Sequence, residues 1–406
     1  MGRSSNRLWR RRELLTTMGG MLLGWGIGGL SGCLPRAISP SPLESPASAP
    51  GLQPGRPLRI GYLPITDASP LLAAEALGFY REEGLGSTEL RLFRSWAQLM
   101  EAFQARQVDV IHLLMPAAIW LRYSRRFPAR VVAWNHVNGS AFTVRPEIHR
   151  LEDLGGQTVA VPFWYSIHNV ILQMLLRKAG LKPVLGGEGK LGEDEVRLIV
   201  LPPPEMPPAL ASGRIAGFVV AEPFNALAEV QQVGRVLRFT GDVWREHACC
   251  VVVMHEADLE QAPSWAQGVI RAVVRAQIWL RQNRQEAARL LSREGKAYLP
   301  HPPEVLERVF AAHMSEYEDI LQHPEWSPRR IDFQPYPYPS FTEALVSALR
   351  NTEVEGEKEF LGALDPAHAA RDLVLEDLVR RAIEEVGGPE VFGQPVTWSR
   401  QEQIEP

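Results

Sequence analysis

The sequence predicts an α/β protein whose parallel sheets are covered by helices on both sides. From Leu58 to Met254, short apolar runs alternate with amphipathic stretches, the pattern of strands that each hand over to a helix. Beyond residue 254 the chain turns mainly helical, and no repeat of fixed period interrupts either part. The 406 residues suffice for two or three domains with a sizeable core.

Residues 1–33 read as an export signal. Arg3, Arg7, Arg10, Arg11 and Arg12 precede a charge-free run from Leu14 to Gly32, which ends in "LSGC" at Cys33. A small residue before cysteine after an apolar segment is the lipoprotein processing pattern, so Cys33 is the expected lipidated N-terminus. "RRELL" (11–15) resembles the twin-arginine signature. The alternative is an uncleaved anchor, since about 19 apolar residues are near the minimum for a span. Gly19, Gly20, Gly24, Gly26, Gly28 and Gly29 make that a poor helix. Cleavage before Cys33 removes five arginines and one glutamate and takes the net charge from −4 to −8. Such an acidic body has no electrostatic reason to bind nucleic acid or lie flat on anionic lipid. Residues 34–57, with seven prolines among Ser, Ala and Gly, form a linker too poor in apolar groups to fold.

"LRIGYLPI" (58–65) is the first expected strand, and Thr66-Asp67-Ala68-Ser69-Pro70 starts a helix to Phe79, with a capping side chain ahead of proline. Further strands are expected at 89–93, 108–114, 130–134, 141–145, 157–162, 196–202, 216–221 and 249–254. Helices are expected near 97–105, 116–124, 166–180, 205–212 and 222–232. Trp265, Val269, Val273, Ile278 and Trp279 should share one face of a long helix. A helix near 303–319, a Pro/Tyr-rich loop (332–340) and two more helices to about 386 complete the chain.

"LRIGYLPITDASPLLAAEALGFYREEGL" resembles the start of the substrate-binding proteins of ABC importers for nitrate, bicarbonate, taurine and sulfonates, a group that includes thiamine-pyrimidine binders. "FRSWAQLMEAFQARQVDV", "WNHVNG", "VPFWYSIHNVILQMLLRKAGL", "LASGRIAGFVVAEPF" and "GDVWREH" continue the resemblance in order to about residue 300. It implies a type II periplasmic-binding-protein fold, with two α/β lobes joined by a hinge and a helical C-terminal extension. The implied division is lobe 1 over 58–140, lobe 2 over 141–239, a return to lobe 1 over 240–330 and the extension over 331–406. The implied function is capture of a small solute, an oxyanion first and a planar pyrimidine second, for an ABC permease and its ATPase. The implied place is the exported side of the cell envelope, on a lipid anchor.

Polar helix starts directly after strands supply the candidate site, because free N–H groups and the helix dipole favour anions there. They are Thr66 and Asp67, then Ser166 and His168 with Trp164 as wall, and Ala221 and Glu222. The resemblance adds a ligand-contacting role for His168 and a pocket indole for Trp96. Asn138 and Gly139 form a turn pair, and Ser140 stands where the nitrate relatives carry glutamine. Cys250 stands where those relatives place a lysine, so the cation of a nitrate pocket is missing. Glu222 is expected to cap its helix or fix the hinge.

Cys249 and Cys250 are expected on opposite faces of a strand, unable to bridge and buried as small hydrophobes. No further ligands at metal spacing accompany them, so neither a metal nor another cofactor is expected. The sequence has no G-x-S-x-G, H-E-x-x-H or C-x-x-C motif, which argues against an exported enzyme. A ligand sensor that docks on a receptor is the other alternative.

Overall fold

The computed structural model describes residues 56–187, 189–326 and 329–406. The expected export signal, Cys33 and nearly all of the linker lie outside the described residues.

Among the described residues, thirteen strands form two large sheets and one small one. They are β1 (Leu58–Tyr62), β2 (Thr88–Leu92), β3 (Val110–Leu114), β4 (Ala129–Trp134), β5 (Val137–Asn138), β6 (Ser140–Val144) and β7 (Thr158–Val161). The rest are β8 (Lys182–Leu185), β9 (Glu195–Val200), β10 (Gly217–Ala221), β11 (Arg235–Phe239), β12 (Cys250–His255) and β13 (Ile331–Asp332). The first sheet runs β2-β1-β3-β12-β4 and the second β11-β6-β10-β7-β9-β8. This is the expected α/β class with two lobes and a helical C-terminal part.

The sheets are mixed rather than wholly parallel. β12 is antiparallel to β3 and β4, and β6 is antiparallel to β10 and β11. Both are the strands by which the chain enters a sheet from the other lobe, so each runs against its new neighbours. β1, β3, β10 and β12 are buried along their whole length or nearly so, as continuous apolar runs require in a sheet covered on both sides.

The chain crosses between sheets twice, over 135–139 and 240–249. The crossings touch: Val137 pairs with Ala248, and Asn138 N–H donates to the His247 carbonyl at 2.9 Å. β13 adds a third stretch by pairing with β5, and Gly139 N–H donates to the Arg330 carbonyl at 2.8 Å. Gly139 has φ +76°, and a Cβ there would stand 2.9 Å from Ile331 and 3.0 Å from His136, so only glycine fits this crossing.

Several boundaries differ from expectation. The first helix runs Ser69–Ala76 and stops before Gly78 (φ +79°); a short helix Phe79–Glu82 follows. β5, β8, β11 and β13 are additional strands, all of them at an edge or only two residues long. The long helix is Pro263–Gln282, but its buried face is Ala266, Val269, Ile270, Val273, Gln277 and Leu280. Trp265, Ile278 and Trp279 lie at the rim, where bulky rings are only partly covered. Beyond the loop there are four helices, Pro339–Arg350, Phe360–Ala363, Pro366–Leu373 and Asp377–Glu385, rather than two. Among the described residues, no helix is long and apolar enough to cross a membrane.

Candidate functional site

The two lobes meet through polar side chains. Thr66 donates both its N–H (2.9 Å) and its hydroxyl (3.1 Å) to the carbonyl of Glu222, across the cleft at the end of β10. Thr66 and Asp67 therefore do not cap the first helix. The turn Thr66–Ala68 is 3₁₀ with no side-chain cap, because both side chains are drawn into the space between the lobes.

Asp67 faces His136, with Oδ2 2.9 Å from Nε2 and both side chains fully buried. The other carboxylate oxygen has no hydrogen-bond partner. Burial pushes Asp67 up to about 6. Burial pushes His136 down, but the Asp67 carboxylate and the Cys249 sulfur more than reverse this, to about 10. At neutral pH the two values give a carboxylate beside an imidazolium. His136 sits just beyond β4, on the first crossing. Gln277 of the long helix donates to the carbonyls of Trp134 (2.9 Å) and Asn135 (2.8 Å), which fixes that crossing in place.

Cys249 and Cys250 are both free thiols, and both Sγ atoms lie in one group with Asp67 and His136, all donor atoms within 4.8 Å of one another. This corrects the expectation of opposite faces. Cys249 precedes β12, which starts at Cys250, so the pleat that would separate neighbouring side chains does not yet apply. It also corrects the expectation that no further metal ligands exist: Asp67 and His136 come from remote stretches of chain that spacing arguments do not reach. Burial raises both thiols; Cys250 stays far above the usual thiol range. Cys249 is drawn below it by the Cys250 thiol, His168 and His136.

From the other lobe, His168 reaches the same place. Its Nε2 lies 2.9 Å from Ser140 Oγ and 3.7 Å from Cys249 Sγ, and the side chain is fully buried. The helix Ile167–Lys178 delivers it in its first turn. Ser166 caps this helix by accepting from Asn169 N–H at 3.1 Å, so its hydroxyl is engaged locally. Ser140 pairs with Ala221 across β6 and β10. Its carbonyl accepts from Thr240 Oγ1 at 3.0 Å. With that hydroxyl proton committed, His247 Nε2, 2.8 Å from Thr240 Oγ1, must be the donor.

Two further histidines border the cluster. His112 Nε2 accepts from Leu63 N–H at 2.9 Å, and its ring lies 5.3 Å from that of Trp96. Trp96 is buried with its indole N–H unpartnered. Burial holds both His112 and His247 down to about 3, so both are neutral. His112, His136 and His247 were not singled out from sequence. Each is a lone histidine amid apolar residues, although "WNHVNG" and "HACC" carried two of them in plain view.

Other residues near the expected site serve elsewhere. Tyr165 stacks on Trp120 at 5.9 Å and bonds the Glu357 carbonyl, so its ring belongs to the contact with the C-terminal extension. Trp164 is half-buried, and its carbonyl accepts from Asn169. Glu222 accepts from Ala226 N–H at 3.0 Å and pairs with Arg330, so it is held by its helix and by the stretch just before β13. Asn138 (φ 59°) and Gly139 shape the crossing. A surface cavity of about 420 Å³ bordered by His149, Arg150, Lys178, Arg235 and Arg238 contains none of the converging residues.

The profile of the NMT1-like family matches residues 52–292. The chain belongs to this family. This NMT1-like chain is 24% identical over 330 residues to the nitrate/nitrite binding protein NrtA of Nostoc sp., covering 75% of this chain and 72% of that protein. It is 29% identical over 245 residues to the nitrate import ATP-binding protein NrtC of Synechocystis sp., covering 56% of this chain but only 36% of NrtC. Its fold is similar to the crystal structure of the periplasmic nitrate-binding protein NrtA from Synechocystis PCC 6803. The TM-score is 0.69 at 21% identity, over 86% of this chain and 93% of that one. The resemblance drawn from the sequence thus holds: the chain belongs with the substrate-binding proteins of ABC importers.

Proposed function

We propose that this chain captures a small solute between its two lobes and delivers it to an ABC permease coupled to an ATPase. It would do so without catalysis, from the outer face of the membrane, tethered by lipid on Cys33. The observation that carries this reading is the convergence of Asp67, His136, Cys249 and Cys250 with His168 and Ser140 of the other lobe at one fully buried point. A site assembled only when two lobes meet couples ligand binding to closure, which a permease can recognise. The family supports the same reading, since relatives named for nitrate binding and nitrate import match most or part of the chain.

The solute is small, because every side chain at the junction is already buried. A nitrate-type anion would find the His168 and Trp96 N–H groups but no lysine, with Cys250 in its place.

The test is a thermal-shift and solution-scattering screen of the full chain with nitrate, bicarbonate, taurine, a thiamine-type pyrimidine and divalent metals. A true solute at 100 times its Kd stabilises by about 2.7 kcal/mol. It should also shrink the radius of gyration and emerge chemically unchanged. Turnover of any of these compounds would favour an enzyme, and failure of all of them to change stability or size would defeat the reading.

A further inference from the structure

We propose that Asp67, His136, Cys249 and Cys250 chelate one thiophilic divalent cation of the zinc class, and that this ion is the solute, or its anchoring part, enclosed between the lobes. The proposal rests on the solute-binding reading above and names its substrate class.

The donor set decides the chemistry. One imidazole nitrogen, one carboxylate oxygen and two sulfurs lie within 4.8 Å of one another. Metal bonds of about 2.0–2.3 Å place tetrahedral ligands roughly 3.3–3.8 Å apart, so small side-chain rotations close the group onto an ion. Thiolate and imidazole select zinc-like ions over calcium or magnesium, which prefer six or more oxygens. A bare anion is disfavoured, because the same point presents a carboxylate and two ionisable thiols.

The site is also built to hold its shape. Met115 N–H donates to the Cys249 carbonyl at 2.9 Å, and Asn135 N–H to the Cys250 carbonyl at 3.1 Å. Gln277 braces the stretch bearing His136. The fully buried Asp67 Oδ1 has no hydrogen-bond partner, a costly state that a cation would relieve. His168 Nε2, 3.7 Å from Cys249 Sγ, is placed to donate to that sulfur and tune it from the second lobe. Lobe 1 and the two crossings would thus carry the ligands, and lobe 2 would close over them.

Binding is balanced by proton release. Each thiol still protonated loses its proton to water, and His136, an imidazolium at neutral pH, gives up one proton to water as well and binds as neutral imidazole. Two thiolates and one carboxylate around a divalent ion leave one net negative charge, which the donors of His168 and Ser140 face.

The experiment titrates chelator-stripped full-length protein with zinc alone, against a competing chromophoric chelator. Cobalt is used in parallel to report sulfur ligation. One equivalent of zinc is expected, with intense thiolate-to-cobalt charge-transfer bands. Cys249→Ser, Cys250→Ser and Asp67→Asn should each weaken zinc by about a hundredfold or more, and His168→Gln by no more than about tenfold. The cobalt spectrum of the unaltered chain keeps the test decisive if a variant fails to fold. No stoichiometric zinc, no charge-transfer bands, or full affinity in folded cysteine variants overturns the proposal. A thermal shift with nitrate or taurine in metal-free protein that binds no zinc overturns it while leaving the solute-binding reading intact. Zinc bound with no change in radius of gyration overturns the ion as captured solute.

Discussion

His168 Nε2 and Cys249 Sγ stand 3.7 Å apart although one belongs to the helix after β7 and the other to the entry into β12. The two atoms come from the two different large sheets, so a His168 variant should report on lobe closure as well as on ligand. His168→Ala should weaken the solute that stabilises the unaltered protein most by about tenfold to a hundredfold, the loss of one buried hydrogen bond. Isothermal titration checks this. The melting temperature without solute should change little if the lobes part without solute and expose the histidine to water. An unchanged Kd would remove His168 from the site.

A second prediction concerns Arg330, the fully buried cation that ties the stretch just before β13 to lobe 2. It donates to Glu222 (Nε, 3.0 Å) and Glu229 (Nη1, 2.7 Å), with Tyr317 Oη 2.8 Å away and Phe239 stacked 5.2 Å from the guanidinium. Arg330→Met strands the buried Glu222 carboxylate and should cost about 3–5 kcal/mol in urea unfolding. Adding Glu222→Gln to Arg330→Met should recover part of that loss, because the orphaned charge is then gone. A loss in the single variant below about 1 kcal/mol would show that the network is solvated rather than buried.

The two predictions divide along what sequence can carry. β1, β3, β7, β10 and β12 were legible as apolar runs because burial on both faces writes itself into composition. β8 ("KPVL") and β11 ("RVLRF") were not, because edge strands admit proline and arginine. At the site, Asp67 and His168 were legible from their places after strand ends, and Ser140 and Cys250 only through the family resemblance. His136 was not, since its partners Asp67 and Cys249 lie far away in the chain. The shared side of Cys249 and Cys250 was hidden too: it depends on where β12 starts, a one-residue matter that alternation cannot fix.

At the N-terminus, the prediction is chemical. If "LSGC" is processed, Cys33 should be the first residue of the mature protein and carry acyl chains, visible by mass spectrometry of the N-terminal peptide. Cys33→Ser should yield a protein that is unprocessed or no longer membrane-bound. Replacing Arg11 and Arg12 with lysines should block export by the twin-arginine route. Normal processing and fractionation of Cys33→Ser would end the lipoprotein assignment.

Acid should loosen the extension from lobe 1 through Asp372. This carboxylate accepts from Arg122 Nε (2.5 Å) and Nη2 (2.8 Å) and from Tyr123 Oη (2.9 Å), joining helix Pro366–Leu373 to helix Met115–Tyr123. The Arg122 hydrogen bonds hold its pKa down to about 2, against a partial opposing effect of burial. A depressed carboxylate stabilises the fold fully above its ordinary value of about 3.9 and loses that contribution as pH falls through the folded value. The unaltered protein should therefore melt higher than Asp372→Asn above about pH 4. The gap should narrow between about pH 4 and 2 and vanish below about 2, where both side chains are uncharged. Glu256, 3.5 Å from Arg122 and paired with Arg130 at 2.5 Å, stays in place in the variant and keeps the gap modest. Melting curves of the two proteins across that range decide it, and a gap independent of pH would mean that Asp372 acts through packing rather than through its charge.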